Sequence, residues 1–185
     1  TGMREGELLG LQWSCVDFKR GTVRVEKQLQ RPRRKGDEFY FSSLKNDKER
    51  TITPAPDVMK VLREHKRKQN EARLKAPLWD CGAFPDLVFT NEIGGHLIYA
   101  YLLNQYKKIL TAAGLEQRRF HDARHTYATL SLLAGDDIKT ISANLGHATV
   151  AFTLDQYAHY VDTMREVSAG KMQALIDSLN RYNLG

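Results

Sequence analysis

The sequence predicts an α+β fold, in which a mostly helical domain carries a small antiparallel three-stranded sheet. Strand-like runs separated by turn residues fill residues 16 to 54, and the run TVRVE alternates apolar and polar residues as a half-buried strand does. Helical patterns fill most of the remaining chain. With 185 residues and 42% hydrophobic composition, the chain can bury the core of one domain without disulfides.

The first elements are predicted in this order. MREGELLGLQW has the apolar spacing of a short amphipathic helix, and VDF, TVRVEKQLQ, FYFSSLK and RTITP are the strands. Asp57 to about Leu74 forms a helix whose inward residues are Val58, Val61, Leu62 and, with a weaker indication, His65. LVFTNEIGGHL then predicts a further strand and a Gly-Gly turn.

The rest of the chain is predicted to be helical. The segments are YAYLLNQYKKILTAAG, closed by Gly114, then RFHDARHTYATLSLLAG, DIKTISANLG, TVAFTLDQYAHY and a long terminal VDTMREVSAGKMQALIDSLNRY. In RFHDARHTYATLSLLAG one apolar stripe is predicted to face the core. It consists of Phe120, Ala123, Tyr127, Leu130 and Leu133.

Positive charge is concentrated in the first part of the chain. The net charge is +6, and residues 1 to 134 carry 24 Lys and Arg against 16 Asp and Glu, whereas residues 135 to 185 carry 4 against 6. This balance predicts an anionic partner, and nucleic acid is the main candidate because its phosphates bind Lys and Arg. A solvated basic surface without a partner is the alternative.

The cysteines and the apolar runs indicate in which cellular compartment the protein is expected. Cys15 and Cys81 give no disulfide framework and no CxxC pair, which favours a reducing cytoplasm. No apolar run approaches the ~18 residues of a membrane span, and TGMREGELL is not a signal peptide. We therefore expect a soluble, cytoplasmic protein that does not act at a membrane.

The segment HDARH, residues 121 to 125, superficially imitates the HExxH helix of zinc enzymes. His121 and His125 share a helix face, but Arg124 would place a cation beside a dication, and no third ligand follows at a conventional spacing. His121 and Arg124 suit a phosphate better, because a guanidinium grips two oxygens while an imidazole donates a further hydrogen bond. A phosphoryl-transfer enzyme that works without metal needs a second arginine as well. A helix with an ordinary core histidine is the alternative.

Three other segments are informative when they are taken together with HDARHTYATL. They are TGMREGELLGLQW, LKNDKERTI and LGHATVAFTLDQYAHY. In chain order, these segments resemble the catalytic domain of the tyrosine recombinase, or phage integrase, family over residues 1 to about 160. The resemblance implies the DNA breaking-rejoining enzyme fold and a site-specific recombinase or integrase that serves a mobile element or phage. It implies the catalytic residues Arg4, Lys45, His121, Arg124, His147 and Tyr157.

The resemblance also implies a role for each of these residues. Tyr157 attacks a scissile DNA phosphate and forms a covalent 3′-phosphotyrosine, which keeps the bond energy for rejoining, so that no metal, ATP or other cofactor is needed. Arg4 and Arg124 hold the nonbridging oxygens. Lys45, in a β-hairpin, protonates the departing 5′-oxygen.

Two histidines assist this chemistry. His121 accepts or relays the proton of Tyr157, whose phenol has an ordinary pKa of about 10. His147 donates a hydrogen bond to a phosphate oxygen. Tyr160 and His159, which lie close to Tyr157 in sequence, are expected to fix the helix rather than react.

Some of these residues also have ordinary structural interpretations. Arg4 can pair with Glu7 on its own helix, and Gly146 can cap the helix that precedes it. Lys48 lies in the same hairpin as Lys45 and is the alternative acid, although the interval from Lys45 to Arg50 and the following Thr-Ile fits the resemblance better. The sequence leaves these alternatives open.

The resemblance implies double-stranded DNA as the partner, a homotetramer on DNA during synapsis, and accessory DNA-bending factors. Phosphate-backbone contacts are predicted in the RPRRK loop and on the basic exterior of residues 60 to 75, with a solvated face as the alternative. The residues concerned are Arg31, Arg33, Arg34, Lys35, Lys66, Arg67 and Lys68.

Residues 1–185 are expected to form one catalytic domain that is a fragment of a longer protein. The N-terminal core-binding domain and the first catalytic-domain helix are expected to be absent. Residues 161–185 form a C-terminal helix that docks either onto a neighbouring protomer, as in related recombinases, or in cis. The competing functions are a type IB topoisomerase-like strand transferase and a catalytically inactive DNA-binding relative, with a zinc hydrolase last.

Overall fold

The computed structural model describes residues 1–31, 34, 38–44, 49–147, 149–151, 153–154 and 168–179. The chain divides into two compact units, residues 1–125 and residues 126–185, and each has a hydrophobic core of its own. The elements are the predicted mixture of helices and small antiparallel sheets. None of the described helices is long and apolar enough to cross a membrane.

The strands lie in the first unit. They are β1 Val16–Asp17, β2 Thr22–Val25, β3 Lys27–Gln30, β4 Tyr40–Ser43 and β5 Arg50–Ile52. Among the described residues, β1, β2 and β5 form the expected three-stranded antiparallel sheet, and β3 and β4 form a separate two-stranded sheet. The predicted strand TVRVEKQLQ is therefore divided at Glu26 into two strands that belong to different sheets.

The strand register defines where the lysine-bearing segment leaves the sheets. Ser43 at the end of β4 lies opposite Lys27, and Arg50 at the start of β5 lies opposite Val25. Only Glu26 separates Val25 from Lys27. Within the described part of the chain, LKNDKERTI thus connects strands of two sheets rather than the paired arms of one hairpin.

Alternation along β2 builds the main core of the first unit. Val23 and Val25 are 2% and 1% exposed, while Arg24 between them faces solvent. Burial on this face joins the sheet to the start of the chain and to the helix that follows β5. The other buried members of the cluster are Met3, Leu11, Trp13, Cys15, Val16, Leu44, Ile52, Met59 and Val88.

The first helix, α1, Glu5–Leu9, lies directly against β3. Leu9 and Leu29 belong to one buried cluster. A Cβ on Gly10, just after α1, would stand 2.7 Å from the backbone nitrogen of Leu29 and 3.0 Å from the backbone oxygen of Gly6. Glycine is therefore required at position 10 for this close approach.

We expect Gly10→Ala to lower the free energy of unfolding by roughly 1–3 kcal/mol, because the new methyl group would overlap backbone atoms that cannot rotate away. Urea unfolding followed by circular dichroism measures the change. Gly170→Ala is the matched control, since Gly170 lies in a helical segment with open space around it. The control should be neutral or slightly stabilising, and an equally neutral Gly10→Ala would contradict the packing of α1 on β3.

The second helix, α2, Pro56–Lys75, has nearly the predicted bounds but turns a different face inward. Met59 is 5% exposed, whereas Val58 and Val61 are 39% and 68% exposed, so the prediction that these valines face inward is wrong. A polar residue helps to fix the inward face, because the Gln69 side-chain oxygen accepts a 2.6 Å hydrogen bond from the Trp13 indole nitrogen. Its amide nitrogen donates to two backbone carbonyls.

The segment LVFTNEIGGHL does not form a regular strand. Its ladder contacts are the isolated bridges Gln12 to Leu87 and Thr90 to His96. The predicted glycine turn is present, with Gly94 in a left-handed conformation (φ 91°). The prediction of a strand here was therefore wrong, although the turn was correct.

The later helices follow the predicted order. They are α3 Tyr99–Ala112, α4 Phe120–Leu133 and α5 Ile138–Leu145. Residues 150–151, 153–154 and 168–179 are also helical. The second unit is centred on Ala128 and Leu132 of α4 with Ile141 and Leu145 of α5.

The buried face of α4 is displaced from the predicted stripe. Leu130 and Leu133 are 59% and 55% exposed, so their predicted burial is wrong. Ala128, Ser131 and Leu132 are buried instead. The small side chains of Ala128 and Ser131 allow close packing on this face of α4.

Candidate active site

Arg4 stands at the N-cap of α1 and contacts the carboxylate of Glu7 twice. Its backbone nitrogen donates to Glu7 Oε2 at 2.9 Å, and its guanidinium Nη1 donates to Glu7 Oε1 at 2.9 Å. The Glu7 side chain is 1% exposed and the Arg4 side chain 22%. The structural pairing of Arg4 with Glu7 therefore exists, and it constrains the orientation of the guanidinium.

Glu7 is also paired with Arg50, the first residue of β5. Arg50 donates from Nη1 to Glu7 Oε1 at 3.0 Å and from Nη2 to Glu7 Oε2 at 2.5 Å, which is a two-pronged guanidinium–carboxylate pair. The Arg50 side chain is only 9% exposed. The pair fastens α1 to the strand that follows the lysine-bearing segment.

The environment of Glu7 keeps its carboxyl group ionised. Burial raises the pKa of Glu7, but the hydrogen bonds and charge of Arg50, with the hydrogen bonds of Arg4, outweigh it, so the net pKa is lowered. A carboxylate that holds two guanidinium groups can fix their orientation without being a reacting group. The sequence predicted the contact of Glu7 with Arg4, but it did not indicate that Arg50 of the LKNDKERTI segment, 43 residues away, also contacts Glu7.

Arg124 of α4 is 5% exposed and is hydrogen-bonded to the start of the chain. Its Nη1 donates to the backbone oxygen of Gly2 at 2.6 Å, across 122 residues of sequence. Gly2 lies two positions before Arg4. The two arginines selected from the sequence are therefore held to the same short stretch of chain.

His121 and His125 occupy the start of the same helix. Their rings meet edge to face with centroids 5.0 Å apart. Burial, followed by the neighbouring His121, lowers the pKa of His125. His121 itself is exposed while Arg124 is buried, so the two residues proposed to share a phosphate lie at the edge and on the inner side of α4.

The HDARH segment does not form a metal site in the described part of the chain. Among the residues that the structure describes, no group of three or more His, Cys, Asp and Glu side chains is placed to hold a metal ion. Asp122 accepts hydrogen bonds from Arg119, through the backbone nitrogen at 3.1 Å and Nη2 at 2.9 Å. The hydrogen bonds of Arg119, outweighing the effect of burial, lower the pKa of Asp122.

His147 lies in the second unit, immediately after α5. Gly146 ends that helix in a left-handed conformation (φ 64°), so its predicted capping role is confirmed. The His147 Nδ1 atom is 2.8 Å from the hydroxyl of Thr153, which is 1% exposed. Thr153 thus orients the imidazole. The sequence did not indicate this role of Thr153, because a threonine six residues from a histidine can have many other structural roles.

Several residues that the sequence predicts to form or support the site lie outside the described part of the chain. Among the proposed catalytic groups these are Tyr157 and Lys45, together with the alternative acid Lys48. Tyr160, His159, Arg33 and Lys35 lie outside it as well. Their assignments remain predictions from the sequence.

The described residues predicted to contact DNA differ in their surroundings. Arg31 lies over the ring of Tyr99 at 4.8 Å, and Lys66 lies over the ring of Trp13 at 5.0 Å. Arg34 is exposed. The other two are paired with acids of α2: Arg67 with Glu64 and Glu71, and Lys68 with Glu64 at 3.7 Å.

The fold is that of tyrosine recombinase catalytic domains. The structure of the Tn1549 transposon integrase in complex with a circular intermediate DNA aligns with a TM-score of 0.70 at 21% identity, covering 91% of this chain and 55% of that one. The crystal structure of the XerA recombinase aligns with a TM-score of 0.66 at 26% identity, covering 92% and 54%.

The chain belongs to the phage integrase family, whose sequence profile matches residues 1–164. A tyrosine recombinase XerC-like protein of Caldanaerobacter subterraneus subsp. tengcongensis is 36% identical over 170 residues, which cover 87% of this chain and 43% of that protein. The chain thus spans about half the length of each of these three relatives. The family resemblance inferred from the motifs is confirmed.

Proposed function

We propose that the chain is the catalytic domain of a site-specific DNA recombinase that integrates or excises a mobile element. The observation that carries this proposal is the hydrogen bond from Arg124 to Gly2, which fastens the second proposed phosphate-binding arginine to the segment of the first, Arg4. Paired guanidinium groups suit a phosphate, because each planar guanidinium can donate two hydrogen bonds to its nonbridging oxygens. The similarity to a tyrosine recombinase XerC-like protein supports the same class of function.

In the proposed reaction, the phenolic oxygen of Tyr157 bonds to a scissile phosphorus while the bond to the 5′-oxygen breaks. The products are a 3′-phosphotyrosine and a free 5′-hydroxyl, and attack by another 5′-hydroxyl rejoins the DNA without ATP. His121 accepts the phenol proton and Lys45 supplies a proton to the 5′-oxygen. Arg4 and Arg124 stabilise the negative charge that develops on the nonbridging oxygens.

His147 is assigned the donation of a hydrogen bond to the phosphate. With the Thr153 hydroxyl at Nδ1, the neutral imidazole that accepts from this hydroxyl carries its own proton on Nε2. That tautomer has the donor on the nitrogen directed away from Thr153. Thr153 is then a positioning residue for His147.

Double-stranded DNA is the proposed substrate, and the contacts to its backbone divide into two groups. Arg31, Arg34 and Lys66 are proposed as phosphate contacts. Arg67 and Lys68 contribute less, because Glu64 and Glu71 compete for them. The proposed location is the cytoplasm, where reducing conditions keep the free cysteines as thiols.

Assembly into a tetramer on DNA is proposed together with docking of the C-terminal helix onto a neighbouring protomer, assisted by accessory DNA-bending factors. The supporting observation is an apolar stripe over residues 168–179 whose members are 42–58% exposed. They are Met172, Leu175, Ile176 and Leu179.

The Tyr157 assignment is tested by trapping the covalent intermediate. The natural-length protein is incubated with nicked duplexes of random sequence, in which a short product diffuses away and prevents rejoining. We expect an adduct that survives denaturant, maps to Tyr157 by mass spectrometry, and is lost in Tyr157→Phe. Sequencing the trapped DNA gives the recognition site.

Tyr160→Phe is the matched control and should retain the adduct. An adduct on Tyr160, or one that persists in Tyr157→Phe, would refute the assignment. Reciprocal exchange of strands between two intact duplexes distinguishes a recombinase from a topoisomerase-like strand transferase, which cleaves and rejoins one strand at a time. Exchange should proceed in the presence of a metal chelator.

A further inference from the structure

We infer that Arg50 is a positioning residue that neutralises Glu7 and thereby leaves the Arg4 guanidinium able to bind a phosphate. The inference rests on the proposed function, because it concerns the same site. It gives a role to a residue that lies within the LKNDKERTI segment but was not among the predicted catalytic residues. It also gives a functional role to a nearly buried ion pair between α1 and β5.

Two guanidinium groups compete for the single carboxylate of Glu7, and their contacts differ in geometry. Arg50 meets both carboxylate oxygens through two nitrogens, whereas the Arg4 guanidinium donates to one of them through Nη1. The stronger, two-pronged pair therefore belongs to Arg50.

Loss of Arg50 would reverse this balance. The Glu7 carboxylate is 1% exposed, so its negative charge would remain buried beside the cationic Arg4. The Arg4 guanidinium, which already donates to Glu7 Oε1 at 2.9 Å, would then have to balance this charge without Arg50 and would be held more tightly by Glu7. The same nitrogens cannot grip a phosphate at the same time, so phosphate binding by Arg4 must weaken.

The position of Arg50 in the chain also relates it to the proposed acid, Lys45. Arg50 is the first residue of β5 and follows directly after the segment that carries Lys45 and Lys48. Its backbone register is set opposite Val25, and its side chain is set by Glu7. Arg50 therefore ties one end of the lysine-bearing segment to the residue that holds Arg4.

The test compares Arg50→Met, Arg50→Lys and the double variant Glu7→Gln/Arg50→Met in the natural-length protein. Arg24→Met is the matched control, because Arg24 lies on the neighbouring strand β2 and is paired with its own acid, Glu26. A first readout is the dissociation constant of inorganic phosphate, followed through the NMR signal of the Arg4 side-chain nitrogen. A second is the single-turnover rate of cleavage at saturating DNA, normalised to the folded fraction.

We expect Arg50→Met to weaken phosphate binding at Arg4 and to slow cleavage by roughly 10–100-fold, as small misplacements of a positioned group do. Arg50→Lys should lie between Arg50→Met and wild type, because lysine keeps the charge but loses the fork. In the double variant, at least about half of the loss in cleavage rate and phosphate affinity, measured on a logarithmic scale, should be recovered. A neutral amide at position 7 would no longer compete for Arg4. The Arg24→Met control should match wild type in both readouts.

Two results would overturn this role for Arg50. A merely structural role predicts a lower unfolding temperature with an unchanged cleavage rate per folded molecule. An Arg50→Met protein with unchanged phosphate binding at Arg4 contradicts the competition for Glu7. If wild type forms no adduct at Tyr157, the proposed function fails, while the phosphate titration still decides the relation of Arg50 to Arg4.

Discussion

Replacing Arg124 by alanine should slow DNA cleavage by about 10³-fold, equivalent to about 4 kcal/mol of transition-state stabilisation. Arg124 is 5% exposed and its Nη1 is fixed by the Gly2 carbonyl at 2.6 Å. A guanidinium held in this way needs no reorientation when charge develops on a phosphate. Its removal therefore affects the transition state more than the binding of DNA, and single-turnover cleavage at saturating DNA measures the loss.

Two further variants test whether the slower cleavage arises from the loss of the Arg124 guanidinium itself. Arg124→Lys keeps the charge but loses the planar fork, so most of the loss should persist. Arg119→Ala is the control, because Arg119 precedes the same helix, is exposed and is paired with Asp122. A cleavage rate in Arg124→Ala within about threefold of wild type would exclude Arg124 from the phosphate site, given the magnitude expected for a lost charged donor.

Glu7→Ala should produce the largest loss of stability, about 3–5 kcal/mol, because it breaks a buried ion pair and removes the carboxylate from a nearly buried guanidinium. That guanidinium belongs to Arg50, whose side chain is 9% exposed. Urea unfolding measures the loss. Glu64→Ala removes an acid from an exposed pair with Arg67 and serves as the control, in which only a small change is expected.

The double variant Glu7→Leu/Arg50→Leu should lose less stability than the sum of the single variants, since both charges of the pair are removed together. Additive losses would show that the two side chains do not act as a pair. The dependence on pH provides a second check. The pKa of Glu7 is lowered from its ordinary value of 4.5, so its ionised form contributes stability that is fully present above that value.

This contribution is lost as the pH falls through the lowered pKa. The stability difference between wild type and Glu7→Gln should therefore be constant from neutral pH to about 4.5 and shrink only below it. A difference that disappears between about pH 7 and 5 would contradict the lowered pKa. The comparison requires that both proteins unfold in a two-state transition at each pH.

Local signals in the sequence were reliable for the ends of two helices, α2 and α5. The predicted helix from Asp57 to Leu74 is Pro56–Lys75, because a proline begins it and Pro77 follows its end. Gly146 caps α5 as its position predicts. These features depend on backbone constraints within a few residues, which a sequence displays directly.

The inward faces of the helices were less predictable. Val58 and Val61 formed the more apolar stripe of α2, but Gln69 lies inside because Trp13 and two carbonyls satisfy its amide. A polar residue becomes an inward residue only when distant partners exist for it. Those partners are fixed by tertiary packing, and the periodicity of one helix does not contain them.

The same distinction holds for the candidate site. The pairing of Arg4 with Glu7 follows from their spacing on one helix. The contacts of Glu7 with Arg50 and of Arg124 with Gly2 depend on how strands and helices come together across 43 and 122 residues. The motifs selected residues for the site, but not the contacts that support them.

The strand register has a consequence for how the chain tolerates change in length. Ser43 and Arg50 are paired opposite Lys27 and Val25, which are two positions apart in sequence, so both ends of the intervening segment are anchored to neighbouring positions of the chain. Doubling the length of a loop with fixed ends costs only about 0.6 kcal/mol. A slip of one residue at either anchor would instead invert the faces of a whole strand. Insertions and deletions should therefore be tolerated better between these anchors than within the strands themselves.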